Sequence, residues 1–191
     1  MNVLIVNGHP DPAPQRLCHA LADAYGEGVE KAGYTMRRID VGTLDFPILR
    51  SAAAFGNGNL APGIRMAQES IAWADHILFV YPLWHGMAPA LFKAFLEQVF
   101  RYGFAMERDA DWPVGLLRGK SARIVVTMGM PGWFYRIWYG AHSLRAFKRN
   151  ILRFSGIAPV RVTVFGMVEG VSDAKRARWL AQMRAWGRKT R

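Results

Sequence analysis

Four short apolar runs and one run of mixed polarity alternate with segments of helical periodicity along this chain, and this alternation constrains its fold more than any other feature. We predict strands at residues 3–6, 35–40, 76–81, 123–128 and 160–165, and the mixed polarity of residues 35–40 indicates an edge strand. Bare apolar runs are typical of parallel strands covered on both faces, so the pattern predicts an α/β fold with helices on both sides of a parallel sheet. Right-handed crossovers then allow either a flavodoxin-like sheet of order 2-1-3-4-5 or a truncated dinucleotide-binding fold.

The predicted helices fill the intervals between these strands. They are expected over residues 17–32, 62–74 and 90–100, over a segment that reaches about Phe154, and over a last segment that Ser172 caps. In the last helix, Ala177, Leu180 and Met183 are predicted to face the sheet. The loop over residues 101–120 is predicted to be functional or to contact a partner. The whole chain, residues 1–191, is predicted to form one domain.

The cysteine and histidine residues restrict the chemistry that the chain can perform. The single cysteine, Cys18, rules out an internal disulfide and a thiolate metal cluster, and its place on a predicted helix indicates a small buried side chain. His76, inside a strand, is predicted to be structural, and His19 is predicted to lie on a helix surface. No set of His, Asp and Glu has the spacing of a metal site, and hydrolase and phosphate-loop motifs are absent from the sequence.

The chain begins with a strand in place of a signal peptide, and no apolar run is long enough to span a bilayer. We therefore expect a soluble cytoplasmic protein. Its net charge of +11 favours anionic partners, namely dinucleotides, phospholipid headgroups or nucleic acid. The aromatic residues of 133–139 and the Lys and Arg that follow them up to Arg153 suit a subunit interface, a membrane surface or a nucleic-acid platform. We favour the subunit interface, leave peripheral membrane contact open and expect no nucleic-acid partner.

The loop after the third strand, residues 81–89, reads YPLWHGMAP and leads into a predicted amphipathic helix. In an open α/β sheet, loops at the carboxyl ends of central strands bind ligands. The aromatic residues of this loop are therefore expected to hold a planar ring system. The alternative is that Trp84 and Met87 fill the top of the core.

The turn after the first strand, residues 7–16, distinguishes the two candidate folds. A nicotinamide-binding fold would place Gly-x-Gly-x-x-Gly here, but the turn reads NGHPDPAPQR. Three prolines restrict its backbone, and the helix that begins near Arg16 offers free N–H groups and a positive dipole end to a phosphate. The sequence therefore favours the flavodoxin-like sheet.

Taken together, these motifs resemble the flavodoxin-fold NAD(P)H:quinone oxidoreductases. The resemblance is carried by residues 7–10, by the loop 81–89 with the helix after it, and by Gly140-Ala141-His142, and it covers about residues 1–170. It implies a flavodoxin-like three-layer sandwich that binds a flavin, FAD or FMN, and takes NAD(P)H as cosubstrate. It also implies a homodimer in which two subunits complete each site.

The resemblance further implies which residues form the site. The flavin phosphates would lie near the first loop, and the flavin ring would lie against the loop after the third strand. The implied cofactor-binding residues are His9, Gln15, Arg16, Pro82, Leu83, Trp84, His85, Gly86, Met87, Gly129 and Met130. In relatives a tyrosine and a histidine face the flavin. The matching catalytic positions here are Tyr135 and His142, and Tyr139 is the alternative to Tyr135. His142 would balance the negative charge of the reduced cofactor.

The predicted function is therefore that of an NAD(P)H dehydrogenase (quinone), which passes two electrons from NAD(P)H through a bound flavin to a quinone or a similar acceptor. The alternative is a flavin-bearing ancillary subunit of a membrane transporter with the same fold. The sequence leaves open the choice between FAD and FMN, the choice between NADH and NADPH, and the physiological acceptor.

Overall fold

The computed structural model describes residues 1–57, 59–107 and 114–190. Its strands are β1 (Asn2–Asn7), β2 (Thr35–Asp40), β3 (His76–Pro82), β4 (Ser121–Thr127) and β5 (Val160–Phe165). Neighbouring strands are parallel, and their order in the sheet is β2-β1-β3-β4-β5. The predicted flavodoxin-like sheet is confirmed, with β2 at one edge as its mixed polarity indicated.

Helices connect the strands. They are α1 (Leu17–Lys31), α2 (Ala52–Asn57), α3 (Pro62–Trp73), α4 (Ala90–Val99), α5 (Gly132–Ile137), α6 (His142–Ala146) and α7 (Asp173–Arg188). A π-helical segment, Phe147–Arg153, continues α6, and a short 3₁₀ turn, Val41–Thr43, follows β2. None of the helices in the described part of the chain combines the length and the apolar character that a membrane span requires.

The helices cover both faces of the sheet. Side chains alternate between the faces of a strand, so Leu78 and Val80 of β3 pack with α1 and α7, whereas Ile77 and Phe79 pack with α3, α4 and the π-helical segment. The whole of β3 is buried. This double burial explains why the central strands are bare apolar runs in the sequence.

The predicted continuous helix from the fourth strand to Phe154 is wrong. After α5 the chain turns at Gly140 and Ala141, whose φ angles of 56° and 48° are left-handed. A right-handed helix cannot continue through residues in this conformation. The segment is therefore divided into α5, α6 and the π-helical stretch, and Gly156, with φ 95°, lies just beyond its end.

The inward face predicted for α7 is partly wrong. Ser172 does cap the helix, because its Oγ accepts a hydrogen bond from the Lys175 amide. However, Ala177 is exposed, and the buried side chains are those of Trp179 and Met183. The helix packs so closely on α1 that a Cβ at Gly28 would lie 2.2 Å from the Arg184 carbonyl oxygen, and this contact sets the rotation of α7.

The loop that follows α4 is fixed to the body of the protein at both ends. The Leu116 amide donates to the Ala105 carbonyl at 3.0 Å, and the Leu117 amide donates to the Ser155 carbonyl at 2.8 Å. Residues 108–113, which include Trp112-Pro113, lie outside the described residues. The functional role predicted for this loop stays a prediction.

Candidate active site

A cavity of about 630 Å³ opens at the carboxyl edge of the sheet, and its size is that of a typical small-molecule site. Loops after β1, β3, β4 and β5 and the first turn of α1 line it. The predicted site residues that the cavity brings together are His9, Gln15, Arg16, Pro82, Leu83, Trp84 and Gly129. The predicted residues that do not line it are His85, Gly86, Met87, Met130, Tyr135 and His142.

The first loop is fixed by a hydrogen-bond network around Asn7, the last residue of β1. The Asn7 side-chain amide donates to His19 Nδ1 at 3.0 Å and to Asp40 Oδ1 at 2.9 Å, and its Oδ1 accepts from the His9 amide at 3.1 Å. His19 Nε2 lies 3.1 Å from the Asp11 carbonyl oxygen, so Nε2 donates to this carbonyl while Nδ1 accepts from Asn7. The predicted surface position of His19 is therefore wrong, because this histidine is buried as part of the support of the loop.

Gly8 allows the first loop to lie directly on the core. Its amide donates to the Val80 carbonyl at 2.8 Å, which ties the loop to the end of β3. A Cβ at this position would lie 2.6 Å from the ring of Phe92. A residue with a side chain would therefore displace either the loop or the ring.

The end of the cavity next to α1 is suited to an anion. Arg16 precedes the helix, and Leu17 and Cys18 of its first turn line the cavity, where helix amides have no intrahelical acceptor. The Arg16 Nε donates to Asp11 Oδ2 at 2.7 Å. The Ala13 amide and Arg16 lower the pKa of Asp11, so this carboxylate stays ionised and holds the guanidinium at the cavity.

Two other titratable groups at the cavity are neutral. Burial is the main cause of the lowered pKa of His9, and its Nδ1 accepts a hydrogen bond from the Asp11 amide at 3.0 Å. Burial also raises the pKa of Cys18 to about 12, and the thiol lies 3.4 Å from Thr127 Oγ1. Cys18 therefore acts as a small buried side chain, as predicted, and is not a thiolate nucleophile.

The loop after β3 forms a tight turn at the rim of the cavity. Trp84 and Met87 exchange backbone hydrogen bonds of 2.9 and 2.8 Å, and His85 and Gly86 between them have left-handed φ angles of 48° and 75°. Trp84 is 48% exposed and Met87 is also exposed, so the alternative that they fill the core is wrong. The ring of His9 meets the Trp84 ring edge-on at 6.2 Å. The turn thus presents a flat aromatic wall beside the first loop.

The tyrosines after β4 occupy different environments. Tyr135 is fully buried, and its hydroxyl accepts a hydrogen bond from the Leu144 amide at 3.4 Å. Tyr139 is 38% exposed and packs on Gly86, where a Cβ would lie 2.7 Å from its ring. His142 is exposed, and its amide donates to the Tyr139 carbonyl at 3.3 Å. Tyr139 and His142 therefore lie together beside the turn that carries Trp84.

Sequence reasoning missed several residues that line the cavity. Thr127 lies at the end of β4, Glu169 follows β5, and Arg176 reaches the cavity from α7, where its Nη2 donates to the Val168 carbonyl at 3.3 Å. The available signal for Thr127 and Glu169 was position, because they lie at and just beyond the carboxyl ends of neighbouring parallel strands. Arg176 had no such signal. Among the described residues, no group of three or more His, Cys, Asp or Glu is arranged to hold a metal ion.

Comparison with known proteins agrees with this architecture. A family model described as "Flavodoxin-like fold" matches residues 1–187. This chain belongs to that family. The protein Smu.1420 of Streptococcus mutans UA159 has a similar structure, with a TM-score of 0.81, 25% identity, and coverage of 99% of this chain and 100% of that one. The family and the fold class predicted from the sequence are thereby confirmed.

Curated relatives of the chain carry oxidoreductase names. The ribosyldihydronicotinamide dehydrogenase-like protein traD of Penicillium crustosum is 32% identical over 70% of this chain, which spans 58% of that relative's length. An uncharacterized NAD(P)H oxidoreductase of Haemophilus influenzae is 29% identical over 92% of this chain and 89% of its own length. An FMN-dependent NADH:quinone oxidoreductase of Exiguobacterium is 26% identical over 91% of both chains.

Proposed function

We propose that this protein is a flavin-dependent NAD(P)H:quinone oxidoreductase that binds FMN. The observation that carries the proposal is that one cavity joins an anion-binding end at Arg16 and α1 to an aromatic wall at Trp84. The names of the relatives support the same activity. They give no support to the alternative of a transporter subunit.

The residues present fit a flavin. A phosphate is matched by the Arg16 guanidinium and by the free amides of the first turn of α1. The apolar, planar ring system of a flavin is matched by Pro82, Leu83 and Trp84, at and just beyond the end of β3. FMN is proposed because the relative named FMN-dependent matches along nearly its whole length.

A bound flavin supplies the two-electron chemistry that links NAD(P)H to a quinone, and the protein supplies position and electrostatics. Trp84 and Leu83 form the wall against which planar reactants are stacked and from which water is excluded. We propose that Tyr139 Oη and His142 Nε2, which lie beside the turn that carries Trp84, hold and deliver protons to the acceptor. Tyr135 instead fixes α5 from within, since its hydroxyl is engaged by the Leu144 amide.

We also propose a homodimer and a cytoplasmic location. Two depressions of about 290 and 310 Å³ lie next to each other beside α4, and both are lined by Lys93, Leu96, Asn150 and Ile151. One of them reaches Met87 of the rim turn. A second subunit seated here would complete the wall of the site. The cytoplasm is where NAD(P)H, the proposed donor, is available.

The test is to identify the cofactor and to measure turnover. We expect the purified protein to release FMN on denaturation and, once reloaded, to oxidise NAD(P)H with a soluble quinone. His142→Gln should lower kcat on the order of 100-fold, and Tyr139→Phe should lower kcat more than Tyr135→Phe does. A protein that neither contains nor takes up a flavin would contradict the proposal, whereas release of FAD would contradict only the choice of FMN.

A further inference from the structure

Helix α5 presents large apolar side chains to solvent. Trp133 is 65% exposed, and Ile137 and Trp138 are each 77% exposed. Trp133 and Ile137 lie one turn apart, and Trp138 follows the end of the helix. The Phe134 ring contacts both tryptophan rings, with centroids 5.8 and 6.0 Å away, and so connects them into one apolar surface. We call Trp133, Ile137 and Trp138 the α5 patch. Contiguous exposed apolar groups of this size mark a surface that another molecule covers.

The α5 patch is held in place and is not a loosely attached segment. The opposite side of α5 carries Tyr135, which is fully buried in the core. At the start of the helix, a Cβ at Gly132 would lie 3.3 Å from the Val164 side chain, so this end packs on β5. The Trp138 ring stacks on Phe134 with centroids 6.0 Å apart. A helix that is apolar on both sides is expected to be covered on both sides.

The charge around the α5 patch indicates what covers it. Residues 133–149, which include the α5 patch, contain four Lys and Arg and no Asp or Glu. Arg136 lies on α5 itself, and Arg145 and Arg149 follow on the next helical segments, all three exposed. The surface therefore combines apolar side chains with positive charge. Its complement is a partner that is both apolar and anionic.

We propose that the α5 patch docks on the surface of an anionic phospholipid bilayer. Tryptophan is enriched at the level of lipid headgroups, where aliphatic side chains reach the acyl chains and Lys and Arg bind anionic lipid. A second copy of the chain is a poorer complement. A two-fold interface built on the α5 patch itself would place residues 133–149 of both subunits against each other, and this segment contains no acidic residue.

Given the proposed function, docking at this surface would bring the turn at the rim of the cavity close to the membrane. Tyr139, next to Trp138 in the sequence, packs on Gly86 of the turn that carries Trp84. The α5 patch is thus continuous with the rim of the site. A quinone dissolved in the bilayer would then reach the cavity without crossing water.

The test is sedimentation of the protein with vesicles of phosphatidylcholine alone or mixed with phosphatidylglycerol. We expect binding only to the anionic vesicles, and weaker binding at high salt. Ile137→Ser should weaken it about tenfold or more, because the lost contact is apolar. The matched control is Ile48→Ser, since Ile48 is also exposed, at 62%, but lies far away in the sequence.

The charge of the patch is tested separately. Arg136→Gln should weaken vesicle binding about fivefold, and Arg65→Gln should leave vesicle binding unchanged.

Several results would overturn the proposal. One is failure of the protein to bind anionic vesicles at low salt. Another is an equal loss of vesicle affinity in Ile137→Ser and Ile48→Ser. A third is conversion of a dimer to a monomer by Ile137→Ser in analytical ultracentrifugation, which would assign the α5 patch to a subunit interface. Sedimentation requires no turnover, so the outcome is independent of the proposed oxidoreductase activity.

Discussion

Single buried polar residues determine how this fold responds to pH, and His76 is the clearest case. It lies within β3, with Tyr25 Oη 3.1 Å from its Nε2 and Ser121 Oγ 2.7 Å from its Nδ1. Burial is the main cause that lowers its pKa to about 4, and Arg123 and Arg161 add to the effect. The imidazole is therefore neutral in the folded protein at pH 7, and its two partners satisfy both ring nitrogens.

His76 should make the fold less stable in mild acid. Between its unfolded pKa of 6.5 and its folded pKa of about 4, the unfolded chain binds the extra proton, so the free energy of unfolding falls as pH falls through this window. The full loss is about 3 kcal/mol. We expect urea unfolding from pH 7.5 to 4.5 to show a shallower pH dependence in His76→Gln. His85→Gln removes an exposed histidine and should keep the wild-type dependence of the unfolding free energy on pH. Equal slopes of unfolding free energy against pH in all three proteins would contradict the prediction.

At the scale of elements, the contact between α1 and α7 depends on glycine. Gly28 of α1 faces the Arg184 carbonyl, and Gly187 of α7 faces the Tyr25 carbonyl, each so close that a Cβ would lie 2.2 Å from the oxygen. Arg184 Nε also donates to Glu27 Oε2 at 2.5 Å across the same pair of helices. Backbone contact, more than side-chain interlocking, thus sets the spacing of this layer.

Gly28→Ala should force the two helices apart. We expect a loss of about 1–3 kcal/mol, as for other overpacked positions, and a lower Tm by about 2–4 °C for each kcal/mol. Gly170→Ala is the matched control, because a Cβ there has no neighbour within 4 Å. Thermal unfolding followed by circular dichroism measures the difference, and equal Tm values for the two variants would show that the helices adjust without cost.

The elements also show what sequence patterns can and cannot predict. The central strands β1, β3 and β4 were predictable because burial on both faces requires apolar residues at nearly every position. The break between α5 and α6 was not, because it depends on left-handed backbone at Gly140 and Ala141, and alanine gives no local signal of that conformation. Likewise, Arg176 was missed as a cavity residue because its place at the site comes from the packing of α7 and not from a motif.

At the scale of the whole molecule, the cavity joins segments that are distant in the sequence. Its walls come from the ends of β1, β3, β4 and β5 and from the first turns of α1 and α7. A ligand that fills it therefore bridges most layers of the fold. Because binding to the folded state alone raises stability, the proposed cofactor should stabilise the entire domain and not one loop.

A comparison of FMN with riboflavin, which lacks the phosphate, tests this expectation. In flavin-free protein, FMN at about 100 times its Kd should add about 2.7 kcal/mol, a rise in Tm of roughly 5–10 °C, and riboflavin at the same concentration should add less. Arg16→Gln should remove most of the difference between the two ligands, since Arg16 is the guanidinium at the anion-binding end of the cavity. Arg65→Gln, on the exposed side of α3, should preserve the difference in Tm shift between FMN and riboflavin. Equal shifts with FMN and riboflavin in the wild-type protein would mean that the phosphate is not bound at α1.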